Sequence, residues 1–265
     1  MKRPVGIFDS GLGGLTVMSE IMALMPTEDI IYFGDTAHVP YGSKSKESVV
    51  RFSTDISHFL ISQKIKMLVV ACNTASAFAL PYLKKKFNVP ITGVIIPGAE
   101  AAISSTRNKR IGIIGTEGTI KSSSYANAIK SVSSGINVFS QACPLFVPIV
   151  EEGWVAHKVS NITASEYLKP LIARNIDTLV LGCTHYPLIK EVLRKTVSKN
   201  TVLIDSAEFT AREVFNTLDR LNLGAKSKTR GKYKYFVSDS PQKFKSLGQR
   251  FLKHIIKSVK KVNLE

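Results

Sequence analysis

Met67-Leu68-Val69-Val70-Ala71-Cys72-Asn73-Thr74-Ala75-Ser76 decides the fold. Its first five residues are apolar without polar alternation, which reads as a strand buried on both faces, as in a parallel sheet covered by helices. Cys72 to Ser76 then offers small polar side chains suited to the free N–H groups of a helix start, so a helix is predicted from there to about Phe87. The chain repeats the move where Thr178-Leu179-Val180-Leu181 runs into Gly182-Cys183-Thr184-His185.

Outward from these stretches the alternation continues. Val5–Phe8 is a predicted strand ending in Asp9-Ser10-Gly11-Leu12-Gly13-Gly14, and a helix follows from about Leu15 to Met25, closed by Pro26. Ile30–Phe33 is a second strand, Lys46–Ser62 an amphipathic helix and Ile91–Ile95 a further strand. This predicts an α/β architecture of mainly parallel sheets flanked by helices, with ligands at the carboxyl ends of the strands. The pattern restarts at Ile111–Ile114, which runs into Gly115-Thr116-Glu117-Gly118-Thr119 much as Ile7 and Phe8 run into Asp9-Ser10-Gly11. Ile113 follows Ile7 by 106 positions and Cys183 follows Cys72 by 111. Two similar halves are therefore expected, the second starting near Pro97. Segment 208–265 holds helix-like stretches and a strand candidate at Tyr233–Val237, and by its residues alone it packs on either half.

Composition narrows the class. A chain of 265 residues with 44% hydrophobic content is too apolar for intrinsic disorder and long enough for a sizeable core. Its three cysteines, Cys72, Cys143 and Cys183, are far apart, which excludes a disulfide framework and a CxxC pair. Apolar runs fall far short of the roughly 20 residues of a membrane helix, and Asp9 interrupts the only N-terminal one. A cytoplasmic protein with reduced thiols and no membrane partner is expected. The net charge is +16, of which +10 lies in residues 226–265, where twelve Lys and Arg face Asp239 and Glu265. Lys253, Lys257, Lys260 and Lys261 have helical spacing around Ile255, Ile256 and Val259, so a solvated face of a last helix is predicted. Weak, salt-sensitive nonspecific attraction to nucleic acid follows from that charge, but no specific recognition motif is present.

The chemistry centres on Cys72 and Cys183. Each follows a strand and precedes a helix start, where backbone N–H groups and the helix dipole favour a thiolate. The ordinary role of a lone cysteine is a small buried hydrophobe. Two at matched places in facing halves would flank one cleft, an arrangement that suits inversion of a stereocentre: one group removes a proton and the other delivers one to the opposite face. The glycine-rich turn 9–14 has neither dinucleotide-binding spacing nor a P-loop lysine, and Asp9 would repel a phosphate, so that carboxylate fits better beside a thiol or a substrate ammonium, or the segment is a plain strand-to-helix turn. His185 suits proton handling beside Cys183, or is a plain loop histidine. Glu151 and Glu152 follow an apolar run, and such paired acids are ordinarily solvated. Cys143 has no matched partner residues and is expected to be structural.

Four motifs together carry a resemblance. Asp-Ser-Gly-Leu-Gly-Gly at 9–14, Gly-Asp-Thr-Ala-His-Val-Pro-Tyr-Gly at 34–42, Ala-Cys-Asn-Thr-Ala-Ser at 71–76 and Leu-Gly-Cys-Thr-His-Tyr-Pro at 181–187 resemble the glutamate racemases, in the cofactor-independent aspartate/glutamate racemase family. The resemblance implies two α/β domains with pseudo-twofold symmetry, one formed by 1–96 with 208–265 and the other by 97–207. It implies interconversion of L- and D-glutamate, feeding D-glutamate to peptidoglycan, without pyridoxal phosphate or metal. It implies Cys72 and Cys183 as the proton-transfer bases, Asp9 and His185 as their respective polar helpers, and a further acid in the Glu151–Glu152 pair, assigned to Glu151. Substrate contacts are implied at Asp9, Ser10, Tyr41, Gly42, Asn73, Thr74, Thr184 and His185, and a homodimer is implied as the assembly. Another amino-acid racemase, such as an aspartate racemase, and a polyanion-binding module using the basic tail are the alternative readings.

Overall fold

In the computed structural model, which describes residues 3–252 and 254–264, strands and helices alternate almost throughout. The first part holds β1 (Val5–Asp9), α1 (Leu15–Leu24), β2 (Ile30–Gly34), α2 (Lys46–Ser62), β3 (Met67–Val70), α3 (Asn73–Phe78), α4 (Leu80–Lys86) and β4 (Ile91–Gly93). Then come α5 (Ile95–Ser105), β5 (Arg110–Gly115), α6 (Glu117–Lys121), α7 (Ser124–Val132), β6 (Asn137–Ala142), α8 (Phe146–Glu151), α9 (Lys158–Ile172), β7 (Thr178–Gly182), α10 (Lys190–Thr196) and β8 (Val202–Asp205). The chain closes with α11 (Ser206–Arg220), β9 (Tyr233–Val237), α12 (Pro241–Leu252) and β10 (Lys260–Lys261).

Two sheets result, ordered β10-β9-β2-β1-β3-β4 and β6-β5-β7-β8, and every pairing in both is parallel. Side chains alternate along each strand, so each sheet feeds two cores. Val5, Ile7, Met67 and Val69 pack with Leu15, Met18 and Ile21 of α1 and Phe244 of α12. Phe8, Leu68 and Val70 pack on the other face with Val49, Ile56 and Leu60 of α2 and Leu83 of α4. In the second sheet Ile111, Ile113 and Val180 face α5 and α7, whereas Ile114, Leu179 and Leu181 face Phe146, Leu168 and Leu193. β9 pairs with β2 from Ile30–Tyr233 to Gly34–Val237, so the end of the chain returns to the first sheet. Among the described residues no helix is long and apolar enough to cross a membrane.

Three local expectations are corrected. The helix predicted from Cys72 to Phe87 is broken at Ala79, after which Pro81, lacking an N–H, sits in the first turn of α4. The strand predicted over Ile91–Ile95 ends at Gly93, because Ile95 already begins α5. The helix predicted around Lys257, Lys260 and Lys261 is absent: Lys260 and Lys261 pair with Phe236 and Val237 as an added edge strand, and Ile256 is drawn into the core while Ile255 is exposed. Lys253 of that series lies outside the described residues, as does Glu265.

Candidate active site

Cys72 and Cys183 follow the carboxyl ends of β3 and β7, and both are buried. They wall one narrow cavity together with Ser10, Tyr41, Gly42, Asn73, Thr74, Thr184 and His185. Its volume is about 20 Å³, room for little more than one water and far too small for an amino acid. The remaining two candidates stand behind this wall. Asp9, fully buried, accepts from the Gly11 N–H at 2.9 Å and from the Thr184 hydroxyl at 3.2 Å. Glu151 meets His185 Nε2 at 3.1 Å, and His185 Nδ1 lies 3.8 Å from Cys183 Sγ, forming the row Glu151–His185–Cys183. Glu152 is exposed, so the two neighbouring acids differ in placement.

Cys72 caps α3: its sulfur accepts from the Ala75 N–H at 3.5 Å and lies 3.8 Å from Ser10 Oγ. The helix-start contacts favour a thiolate at this position, and burial opposes them. Burial, reinforced by the Asp9 carboxylate, outweighs the N–H and hydroxyl contacts and pushes the Cys72 thiol up to about 12. Burial likewise pushes Asp9 up, against the pull of His185, of the Gly11 and Gly14 N–H groups and of Thr184. Burial alone would push His185 down, but its contacts with Cys183 and Glu151 hold it up at about 10. Burial would raise Glu151, and His185 with Lys243 outweighs it, so its carboxyl lies below the usual range.

These shifts set a pH dependence. Unfolded, His185 loses its proton near 6.5, and folded near 10. Its contribution to stability is therefore complete below pH 6.5 and is lost as pH rises through 10. Cys72 acts in the same direction higher up, since an unfolded thiol ionises near 9 and this one near 12. Urea unfolding at pH 6.5, 8 and 10 is expected to show falling stability, with a shallower fall in His185→Gln. An equally steep fall in that variant would exclude His185 as the source.

Sequence reading missed several site residues. Thr116 lines the cavity and meets Thr74 Oγ1 at 2.8 Å, with Thr119 3.0 Å beyond it. The signal was available: the 106-residue offset between Ile7 and Ile113 carries Ser10 onto Thr116. Val39, Pro40 and Val147 complete the wall. Asp35 accepts from Tyr41 and Ser238, each at 2.6 Å, and so holds the 36–42 loop against the returning tail. Tyr125 of α7 donates to Asn73 Oδ1 at 2.7 Å, whereas the buried Asn73 Nδ2 has no hydrogen-bond partner among the described residues. No group of three or more His, Cys, Asp and Glu suited to a metal ion occurs among the described residues.

Paired parallel sheets with a thiol from each at a shared cavity define a class. Residues 14–214 match the family model for Asp/Glu/hydantoin racemases, and the chain belongs to that family. Within it, a glutamate racemase from Geobacter metallireducens is 52% identical over 263 residues, covering 99% of this chain and 97% of the relative. Among solved structures, a glutamate racemase isoform from Bacillus anthracis superposes with a TM-score of 0.96 at 40% identity, covering 100% of this chain and 99% of that one. A glutamate racemase from Francisella tularensis, solved in complex with D-glutamate, gives 0.94 at 37% identity, covering 100% and 98%.

Proposed function

We propose that this chain interconverts L- and D-glutamate by moving the Cα proton between Cys72 and Cys183, using neither pyridoxal phosphate nor a metal. One observation carries the reading: two buried thiols, from matched places in two similar sheets, wall the same cavity. A thiolate on one side takes the Cα proton, and the thiol on the other side gives its own proton to the opposite face of the carbanion. Afterwards thiol and thiolate have exchanged places, so the enzyme form left behind is the one that starts the reverse direction. Asp9 and Ser10 tune Cys72, and Glu151 through His185 tunes Cys183. Tyr41, Gly42, Asn73, Thr74 and Thr184 hold substrate, and hydrogen-bond donors around the site stabilise the carbanion. The two units are residues 1–96 with 208–265 and residues 97–207. The protein works as a cytoplasmic homodimer whose product supplies peptidoglycan synthesis.

The test is optical: D-glutamate is supplied without pyridoxal phosphate and L-glutamate is followed by circular dichroism, with solvent deuterium appearing at Cα of the product. Aspartate is run in parallel. Absence of turnover on either glutamate enantiomer overturns the reading, and faster turnover of aspartate reassigns the substrate. A second expectation follows from Gly13. A Cβ there collides with Thr184 Oγ1 and falls 2.7 Å from His185 Nδ1. Gly13→Ala is expected to displace both side chains and lower kcat by roughly 10- to 100-fold. An unchanged kcat would show that His185 does not depend on this close approach.

A further inference from the structure

The amide of Asn73 has two faces of opposite character, an acceptor oxygen and a donor NH2. Nothing in its own residue decides which one meets a ligand. The decision lies across the molecule, on α7. Tyr125 is 2% exposed, and its ring is wedged where Gly98 and Gly182 leave space: a Cβ at either position would fall 3.2–3.3 Å from it. Its hydroxyl reaches Asn73 Oδ1 at 2.7 Å. Ser206, the first residue of α11, lies beside Tyr125 at Gly98, where its hydroxyl favours the ionised phenol as a donor would. Burial pushes the phenol well up, so it keeps its proton and remains a donor.

A phenol has a single hydrogen. With Asn73 Oδ1 taking it, Ser206 is the donor on the other side, and the polarity of the row is fixed: Ser206 to Tyr125 to Asn73. The Asn73 oxygen is then consumed, and its buried Nδ2 is left with no partner among the described residues. A buried donor left unmatched is costly to a fold, and it marks a place where an acceptor is bound. Asn73 walls the cavity between the two thiols.

We propose that Tyr125, held by Ser206, is a positioning residue that makes the cavity face of Asn73 a pure hydrogen-bond donor and thereby selects a carboxylate of the substrate. The inference rests on the racemase reading for the identity of that substrate. Tyr125 does not touch the reacting atoms. It acts only through Asn73, and it reaches from the second sheet's helices to a residue at the end of the first sheet.

The test is a double-variant cycle read as D-glutamate affinity by calorimetry, in the full chain with both thiols replaced by alanine so that no turnover interferes. Tyr125→Phe removes one oxygen and keeps the ring. It is expected to weaken binding about tenfold, as is Asn73→Ala, and the two together are expected to be no weaker than Asn73→Ala alone. Ser206→Ala is expected to weaken binding two- to threefold and to have no effect once Asn73 is alanine. It serves as the second variant if Tyr125→Phe does not fold. Unchanged affinity in Tyr125→Phe, or in Ser206→Ala where that is the variant used, overturns the relay alone, as does additivity with Asn73→Ala. Failure of the parent chain to bind glutamate overturns both the relay and the racemase reading.

Discussion

Cys183→Ala is expected to lower racemisation of glutamate by roughly 10³- to 10⁴-fold, and Cys72→Ala by a similar factor, because each removes a positioned proton donor or acceptor from one face of Cα. Loss of rate alone would not separate a two-base site from a damaged one. Hydrogen exchange separates them. With one thiol left, a proton can still be removed from the enantiomer whose Cα–H faces that thiol, and deuterium can be returned to the same face. Each variant is therefore expected to exchange Cα hydrogen of one glutamate enantiomer without inverting it, and the two variants are expected to choose opposite enantiomers. Proton NMR in deuterated water reads both outcomes at once. Inversion at the unaltered rate in either variant would end the two-thiol mechanism.

The largest stability effect is expected far from the cavity. Lys66 Nζ lies 2.5 Å from Glu28 Oε2, with the two residues 5% and 2% exposed. Lys66 also donates to the Leu223 carbonyl at 2.6 Å, and Glu28 Oε1 accepts from the Ala225 N–H. The pair thus fastens the connection after α11, the stretch that leads the chain back to β9, against the bottom of the first sheet. Lys66→Met leaves a buried carboxylate without its cation, at a cost of about 3–5 kcal/mol. For a chain of this size that corresponds to a fall in Tm on the order of 10 °C. Adding Glu28→Gln, which removes the stranded charge and keeps a hydrogen-bonding oxygen, is expected to recover part of the loss. A loss below about 1 kcal/mol in Lys66→Met would show that the pair does not hold the return segment.

The sequence disclosed most where burial is total. Met67–Val70 and Thr178–Gly182 are covered on both faces, and continuous apolar runs identify such strands without reference to the rest of the chain. The paired cysteines were legible for the same reason, since each comes at the end of such a run. The tail was not. Ile255, Ile256, Val259 and their lysines have helical spacing, yet the open edge of β9 offers backbone hydrogen bonds that outcompete a short, highly charged helix. Thr116 was legible through the offset that carries Ser10 onto it, whereas Tyr125 escaped notice because its importance lies in what it faces, and that is decided by how the second sheet's helices approach α3. The opposing pull of burial on the Cys72 thiol escaped for a similar reason. A helix start favours the thiolate, but the depth of burial and the nearness of Asp9, which together reverse the preference, are properties of the folded molecule alone.

The two thiols have unlike neighbours: Asp9 and Ser10 beside Cys72, His185 and Glu151 beside Cys183. L- and D-glutamate, by contrast, are mirror images with the same free energy in water. The Haldane relation then forces kcat/KM to be identical in the two directions, however lopsided the chemistry around each sulfur. The lopsidedness survives only as a trade between its two factors, so the direction with the higher kcat must also have the proportionally higher KM. Such a site biases how readily each enantiomer saturates it and leaves the final ratio of the two pools untouched.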